Sequence, residues 1–190
     1  MDNLTVIAGL GNPGNKYGST RHNVGFGAVD ILSRKYGIKV DRLRYKALIG
    51  DGAINGKRVL LVKPQTFMNL SGEAVSEAMR FYKLKPQQVL ILFDDISLPV
   101  GTIRIRRKGS DGGQNGMRNI ILLTGSDEFP RIKIGVGEKP HPDYDLAAWV
   151  LSRYSKEEAL KLLESTKNAA QAATMIAQGD IDGAMNQYSK

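Results

Sequence analysis

The sequence predicts an α/β fold in one domain over residues 1–190: a twisted mixed sheet, mostly parallel, flanked by helices. Three observations carry that expectation. Val89-Leu90-Ile91-Leu92-Phe93 is the most apolar run in the chain and stops at Asp94-Asp95, as suits a central strand covered on both faces. Leu4-Thr5-Val6-Ile7-Ala8 is a second short apolar run, closed by glycine, and reads as a buried strand. Between and after these runs come segments of helical period with recognisable stops.

The remaining elements follow in order. Residues 23–36 carry Val24, Ala28, Val29, Ile31 and Leu32 at helical spacing, stopped by Gly37. Asn55-Gly56 marks a hairpin turn between strands at 46–53 and 57–62. Residues 71–83 read as a helix with Ser71 as its N-cap and Pro86 beyond its end. Residues 102–106 and 131–136 alternate, and both read as half-exposed strands with basic residues on the open face. A long amphipathic helix occupies 155–178. No repeat, low-complexity tract or linker interrupts the chain.

Composition narrows the chemistry. Twenty-seven Lys and Arg against 19 Asp and Glu give a formal charge of +8, which favours a polyanionic partner such as nucleic acid, although solubility alone also explains it. Cysteine is absent, so disulfides, thiolate nucleophiles and sulfur-ligated metals are excluded. With only His22 and His141, and no HExxH pairing, no metal site is expected, and an unperturbed neutral-pH base must be one of the two. No apolar run approaches the roughly 20 residues that span a bilayer, and the start Met1-Asp2-Asn3-Leu4 does not resemble a signal peptide. A cytoplasmic protein without membrane contact is the expectation.

Gly9-Leu10-Gly11-Asn12-Pro13-Gly14 matches the dinucleotide fingerprint G-x-G-x-x-G, but only in spelling. That fingerprint needs a helix opening within the glycine loop, so that its N-terminus meets pyrophosphate. Here loop continues through Asn15, Tyr17-Gly18, Ser19 and Thr20, and the expected acidic residue about 20 positions on, ending a second strand, is missing. Asp30 has the distance but sits inside a helix. A tight strand-to-loop turn is the simpler reading. It leaves Asn12 as a carboxamide at the carboxyl end of a strand, where open α/β sheets place ligands.

Other residues gather around the same edge. Thr20-Arg21-His22-Asn23 puts a histidine at a helix start, and Asp94 ends the central strand. Singly, each is more often a cap or turn residue. Together, an imidazole and a carboxylate make a base with an orienting partner. No serine sits in a G-x-S-x-G elbow, so water is the expected nucleophile. Asn69 in Phe67-Met68-Asn69-Leu70 and Asn115 in Gly112-Gly113-Gln114-Asn115-Gly116 add two carboxamides, groups that grip neutral carbonyls and donate to a developing oxyanion. Phe67 and Met68 are by default core or pocket wall. Arg104, Arg106, Arg107 and Lys108 cluster, and Arg131 and Lys133 share a strand face; a solvated face and a phosphate site both fit.

These segments, with Lys63-Pro64-Gln65-Thr66-Phe67-Met68-Asn69-Leu70-Ser71-Gly72 as the most specific, resemble bacterial-type peptidyl-tRNA hydrolases in order and spacing from about Leu4 to the C-terminal helix. The resemblance implies a monomer without metal or cofactor that cleaves the ester between a peptide and the 3′ ribose of tRNA. It implies His22 as general base, Asp94 as its orienting partner and Asn69 on the water or oxyanion, beside Met68. Asn12 and Asn115 would grip the peptide and terminal adenosine, with Tyr17, Phe67, Met68 and Gln114 also on the substrate. The CCA end would enter the site, and Arg106 and Lys133 would clamp the 5′ phosphate at the acceptor stem. The segment after Gly137, including His141, resembles the family's mobile lid.

Two positions depart from the family pattern. Gln114 stands where histidine is common, which removes proton transfer there and leaves a binding role. Ser97 stands where Asp is frequent, so a second carboxylate at that position is lost. Two rival classes are weighed against the hydrolase. A nicotinamide-linked enzyme would use the glycine loop and bind cofactor; a non-catalytic RNA-binding module would use the basic faces and bind RNA without turnover.

Overall fold

The computed structural model describes residues 3–189. Seven strands form one sheet in the order β2-β3-β4-β1-β5-β7-β6. They are β1 (Thr5–Gly9), β2 (Arg42–Arg44), β3 (Ala47–Ile54), β4 (Lys57–Pro64), β5 (Val89–Asp95), β6 (Ile103–Arg106) and β7 (Arg131–Gly135). The helices are α1 (Val24–Tyr36), α2 (Ser71–Tyr82), α3 (Asn115–Thr124), α4 (Leu146–Val150), α5 (Lys156–Ala177) and α6 (Ile181–Tyr188). The sheet is mixed, but evenly so rather than mostly parallel. The four central strands β4-β1-β5-β7 run parallel, while β2, β3 and β6 pair antiparallel at the flanks. Tight turns join β2 to β3 and β3 to β4, which makes those pairs antiparallel, whereas β6 returns to pair antiparallel with β7 only after the long connection that carries α3.

Strand alternation builds two cores. On β1 and β5, Ile7, Leu90 and Leu92 face a cluster with Val29 and Leu32 of α1 and Ala169 and Ala173 of α5. Val6, Ala8, Ile91 and Phe93 face the opposite cluster, with Val75 and Ala78 of α2 and Met117 and Ile120 of α3. Both faces of the central strands are therefore covered, which is why their sequences are continuously apolar. Among the described residues, no helix is long and apolar enough to cross a membrane.

Several expected boundaries stand. Gly37 closes α1 in the left-handed conformation, and Asn55 and Gly56 take the positive φ of a tight hairpin turn. Ser155 caps α5 in a reciprocal box with Glu158. Ser71, expected as a cap, is instead the first residue of α2; its hydroxyl donates to the Met68 carbonyl and tightens the preceding 3-10 turn. β2, α4 and α6 are short and carry little periodicity of their own.

Close backbone contact sets the site's depth. A Cβ on Gly25 would lie 2.5 Å from the Leu92 carbonyl oxygen and 2.6 Å from the Leu10 amide, so only glycine lets the start of α1 press onto β1 and β5. A Cβ on Gly116 would likewise meet Met68 Sδ at 2.6 Å, which seats α3 against the Met68 turn.

The expected open basic face of residues 131–136 requires correction. β7 is interior, between β5 and β6, and Arg131 is fully buried at 0% exposure. Its guanidinium donates to the carbonyls of Phe129, Ser110, Gly109 and Asp127 at 2.8–3.0 Å. It pins the loop before α3 instead of meeting solvent. Arg131→Met should therefore cost about 3 kcal/mol or more in chemical denaturation, because carbonyls are left unpaired in a closed environment. A loss below about 1 kcal/mol would fit only an exposed arginine.

Candidate active site

The parallel strands end together, and the loops beyond them form a cleft of about 580 Å³. Its lining includes Asn12 after β1, His22 before α1, Phe67, Met68 and Asn69 after β4, Asp94 at the end of β5, and Gln114 and Asn115 at the start of α3. Residues separated by most of the chain thus converge because each follows or ends a central strand, or opens the helix beside it.

His22 lies in a short 3-10 turn, Arg21–Asn23, immediately ahead of α1. Its Nδ1 is 2.8 Å from Asp94 Oδ2, with both side chains nearly buried. A carboxylate accepts only, so Nδ1 must carry the proton and Nε2 is left bare on the cleft side. Asp94 has a second partner: Gln114 Nε2 donates to its Oδ1 at 3.0 Å. The hydroxyl of Tyr154 is buried without a partner among the described residues. Burial raises its phenol above the ordinary range and the Asp94 charge adds to this, so it stays neutral.

The carboxamides divide into committed and open ones. Asn12 Oδ1 accepts the Met68 backbone N–H at 2.8 Å, which fixes the orientation of the carboxamide and leaves its Nδ2 donors uncommitted among the described residues. Gln114 Oε1 accepts from the Met117 N–H at 2.7 Å, so both ends of Gln114 are bound within the protein. Gln114 nevertheless lines the cleft, where it was expected. Asn69 and Asn115 are exposed at the cleft, and neither side chain has a hydrogen-bond partner among the described residues. Phe67 holds φ 63°, a backbone state that costs a non-glycine residue about 1–3 kcal/mol and that clusters at functional sites. Its half-exposed ring meets Tyr17 edge-on at 6.3 Å, giving the cleft an aromatic rim.

Two contributors were missed from sequence. Asn23 brackets the glycine loop, accepting the Asn12 N–H at 2.8 Å and donating to the Asn12 carbonyl at 2.9 Å. Arg21 is buried, donates to Ser152 Oγ and the Val136 carbonyl at 2.9 Å, and pairs with Glu158 at 3.1 Å. Its guanidinium also stacks 3.8 Å from the Trp149 ring. It thereby ties the His22 turn to α4, whose Leu146, Ala147 and Val150 form the apolar wall of the cleft. The position of both beside His22 in Thr20-Arg21-His22-Asn23 was the only signal. The loop after Gly137 leads into that wall, and His141 packs edge-on against Tyr144 and is not among the residues that line the cleft.

The basic residues flank this cleft. Arg104 lies opposite Lys133 across the β6–β7 pairing. Burial lowers the Lys133 ammonium from its ordinary value, Asp95 opposes this, and Arg131, Arg106 and Arg104 add to it. Lys133 Nζ would stand 3.7 Å from a Cβ on Gly112, a residue of the cleft rim. Arg106 is exposed, whereas Arg107 is paired with Asp182 of α6. Ser97 donates from both N–H and Oγ to Asp95 Oδ1, so the carboxylate near Asp94 on this rim is Asp95. The glycine loop runs into a 3-10 turn, with α1 opening only at Val24, so no helix N-terminus meets it as a dinucleotide site requires.

The family model described as Peptidyl-tRNA hydrolase matches residues 6–190. A peptidyl-tRNA hydrolase of Agathobacter rectalis is 55% identical over 187 residues, covering 98% of this chain and 100% of that protein. One of Caldanaerobacter subterraneus subsp. tengcongensis is 52% identical over 186 residues, with the same coverage of both. The crystal structure of peptidyl-tRNA hydrolase from Acinetobacter baumannii superimposes with a TM-score of 0.92 at 34% identity, covering 100% of this chain and 97% of that one. The chain belongs to the peptidyl-tRNA hydrolase family.

Proposed function

We propose that the chain hydrolyses the ester joining a peptide's carboxyl end to the 3′ ribose of tRNA, with His22 as the base that activates water. The observation that carries this reading is the His22–Asp94 contact of 2.8 Å at the floor of a cleft lined by uncharged carboxamides. Nε2 takes a proton from water as its oxygen attacks the ester carbonyl. Asp94 holds the tautomer and stabilises the imidazolium that forms. The carbonyl oxygen becomes an oxyanion, for which the open Asn69 amide is a donor without competing partners. As the tetrahedral intermediate collapses, the imidazolium returns its proton to the departing 3′ oxygen, which restores the ribose hydroxyl.

The rest of the cleft serves binding. Asn12, with its Nδ2 donors uncommitted, suits a peptide carbonyl, and Asn115 offers both donor and acceptor to the peptide or terminal adenosine. Tyr17, Phe67 and Met68 supply aromatic and apolar surface for the CCA end and the peptide. Arg106 and Lys133 take the 5′ phosphate at the acceptor stem, and the segment after Gly137 acts as a lid. On this reading the chain acts as a monomer, in the cytoplasm where tRNA is recycled for translation.

Incubation with N-acetyl-aminoacyl-tRNA, without metal or nucleotide, should release N-acetyl amino acid and leave intact tRNA; absence of release would remove the reading. His22→Ala should abolish turnover while tRNA binding survives, and His141→Ala should remain active. Asp94→Asn should lose much of kcat. Near-normal turnover by folded His22→Ala would sink the mechanism. Asn69→Ala should lower kcat by roughly two to three orders of magnitude, as loss of an oxyanion donor does. Asn69→Asp should be no better, since it sets a negative charge where one develops; an active Asp variant would take Asn69 out of that role. Replacing Arg106 or Lys133 by Ala should weaken full-length substrate and lower the salt slope by about one unit per lost phosphate contact. A minimal substrate lacking that phosphate should be cleaved nearly as before, and equal losses on both would show that these residues support the fold instead.

A further inference from the structure

Gln114 stands at the N-terminus of α3, and its two ends do different things. Its Oε1 accepts the Met117 N–H at 2.7 Å, as the side chain of an N-cap residue does. That bond fixes which end of the carboxamide is which. The oxygen is on the helix side, so the group facing Asp94 is the nitrogen, 3.0 Å from Oδ1. His22 holds the other oxygen of the same carboxylate at 2.8 Å. A continuous set of bonds therefore runs from the backbone of α3 through Gln114 and Asp94 to the His22 ring.

We propose that Gln114 is a positioning residue: its amide, oriented by the start of α3, holds the Asp94 carboxylate turned toward His22. This rests on the reading of His22 as the base. An amide N–H is a donor at every pH in which the protein folds, unlike an imidazole, which gains a proton on acidification. The groups that face Asp94 are few. His22 approaches from the turn before α1, Gln114 from α3, and the neutral phenol of Tyr154 from the segment after α4. Asp95 follows on the same strand and accepts from Ser97. Near Gln114, Asp111 and Arg118 offset each other at 3.5 Å, and Met68 Sδ lies 3.1 Å from Nε2.

Two substitutions separate positioning from helix capping. Gln114→Glu keeps the length and the oxygen that accepts from Met117, so the cap is preserved. It places a second carboxylate against Asp94, and two carboxylates at that distance cannot both ionise freely. Gln114→Met keeps the volume and removes both bonds.

The experiment is the pH dependence of kcat and KM on N-acetyl-aminoacyl-tRNA for the wild type, both variants and His22→Ala, each checked for folding by thermal melting. In Gln114→Glu, kcat should decline as pH rises through a range where the wild type is flat, with activity recovering toward acid. Gln114→Met should lower kcat by about tenfold, the worth of one hydrogen bond to a charged group, with little change in KM. A Glu variant whose kcat profile parallels the wild type would overturn the proposal. So would losses confined to KM, which would make Gln114 a substrate contact, or a Met variant that melts earlier at unchanged kcat, which would leave it a cap. If the wild type cleaves and His22→Ala does not, the hydrolase reading stands whatever the Gln114 variants do. A wild type that does not cleave removes both.

Discussion

The Asp94 carboxylate is 2% exposed at the end of β5, and the arrangement of the cleft depends on how that charge is kept. A buried carboxylate without partners would cost several kcal/mol or take up a proton. Here each oxygen has a donor, His22 Nδ1 on one and Gln114 Nε2 on the other. The same two bonds fix the ring of His22 and, through the carboxamide, the first turn of α3. Loss of the charge would release the imidazole tautomer first.

Around that centre the protein spends its own backbone groups to decide which side chains stay available. Asn12 is held by Asn23 through its backbone and by Met68 through its Oδ1, so its carboxamide is fixed in orientation with the Nδ2 donors uncommitted. Asn69 and Asn115 keep both ends open. The contrast is chemical: a fixed amide gives direction, and an open one adapts to a substrate. Gly25 and Gly116 make the approach possible, because a side chain at either would collide with neighbouring backbone, Met68 or Leu10. Arg21 extends the same rigidity to the apolar wall through its bonds to Ser152 and Val136 and its stacking on Trp149.

Much of this was legible in the sequence, and unevenly. The central strands declared themselves because burial on both faces leaves no polar alternation in Val89 to Phe93. His22 and Asp94 could be singled out because the chain offers two histidines and one acidic break after its most apolar run. Their contact at 2.8 Å could not, since it joins positions 72 residues apart. Arg131 was misjudged for a definite reason. Alternation places it on a face, but an arginine long enough to reach four carbonyls can fold back under a loop. The even mix of strand directions was hidden because β2 is three residues long and pairs only at the sheet's edge. The sequence gives the donors and acceptor of Gln114 but not the Asp94 and Met117 partners that engage them.

The central claim, that Asp94 leaves Nε2 of His22 as the free base, is most directly tested by nitrogen-15 NMR of the imidazoles at neutral pH. With two histidines in the chain, His22→Ala assigns both signals. The neutral form of the His22 ring should carry its proton on Nδ1 with Nε2 bare, and Asp94→Asn should lose that tautomer preference. A His22 ring carrying its neutral-state proton on Nε2, in a folded protein that turns over substrate, would contradict it.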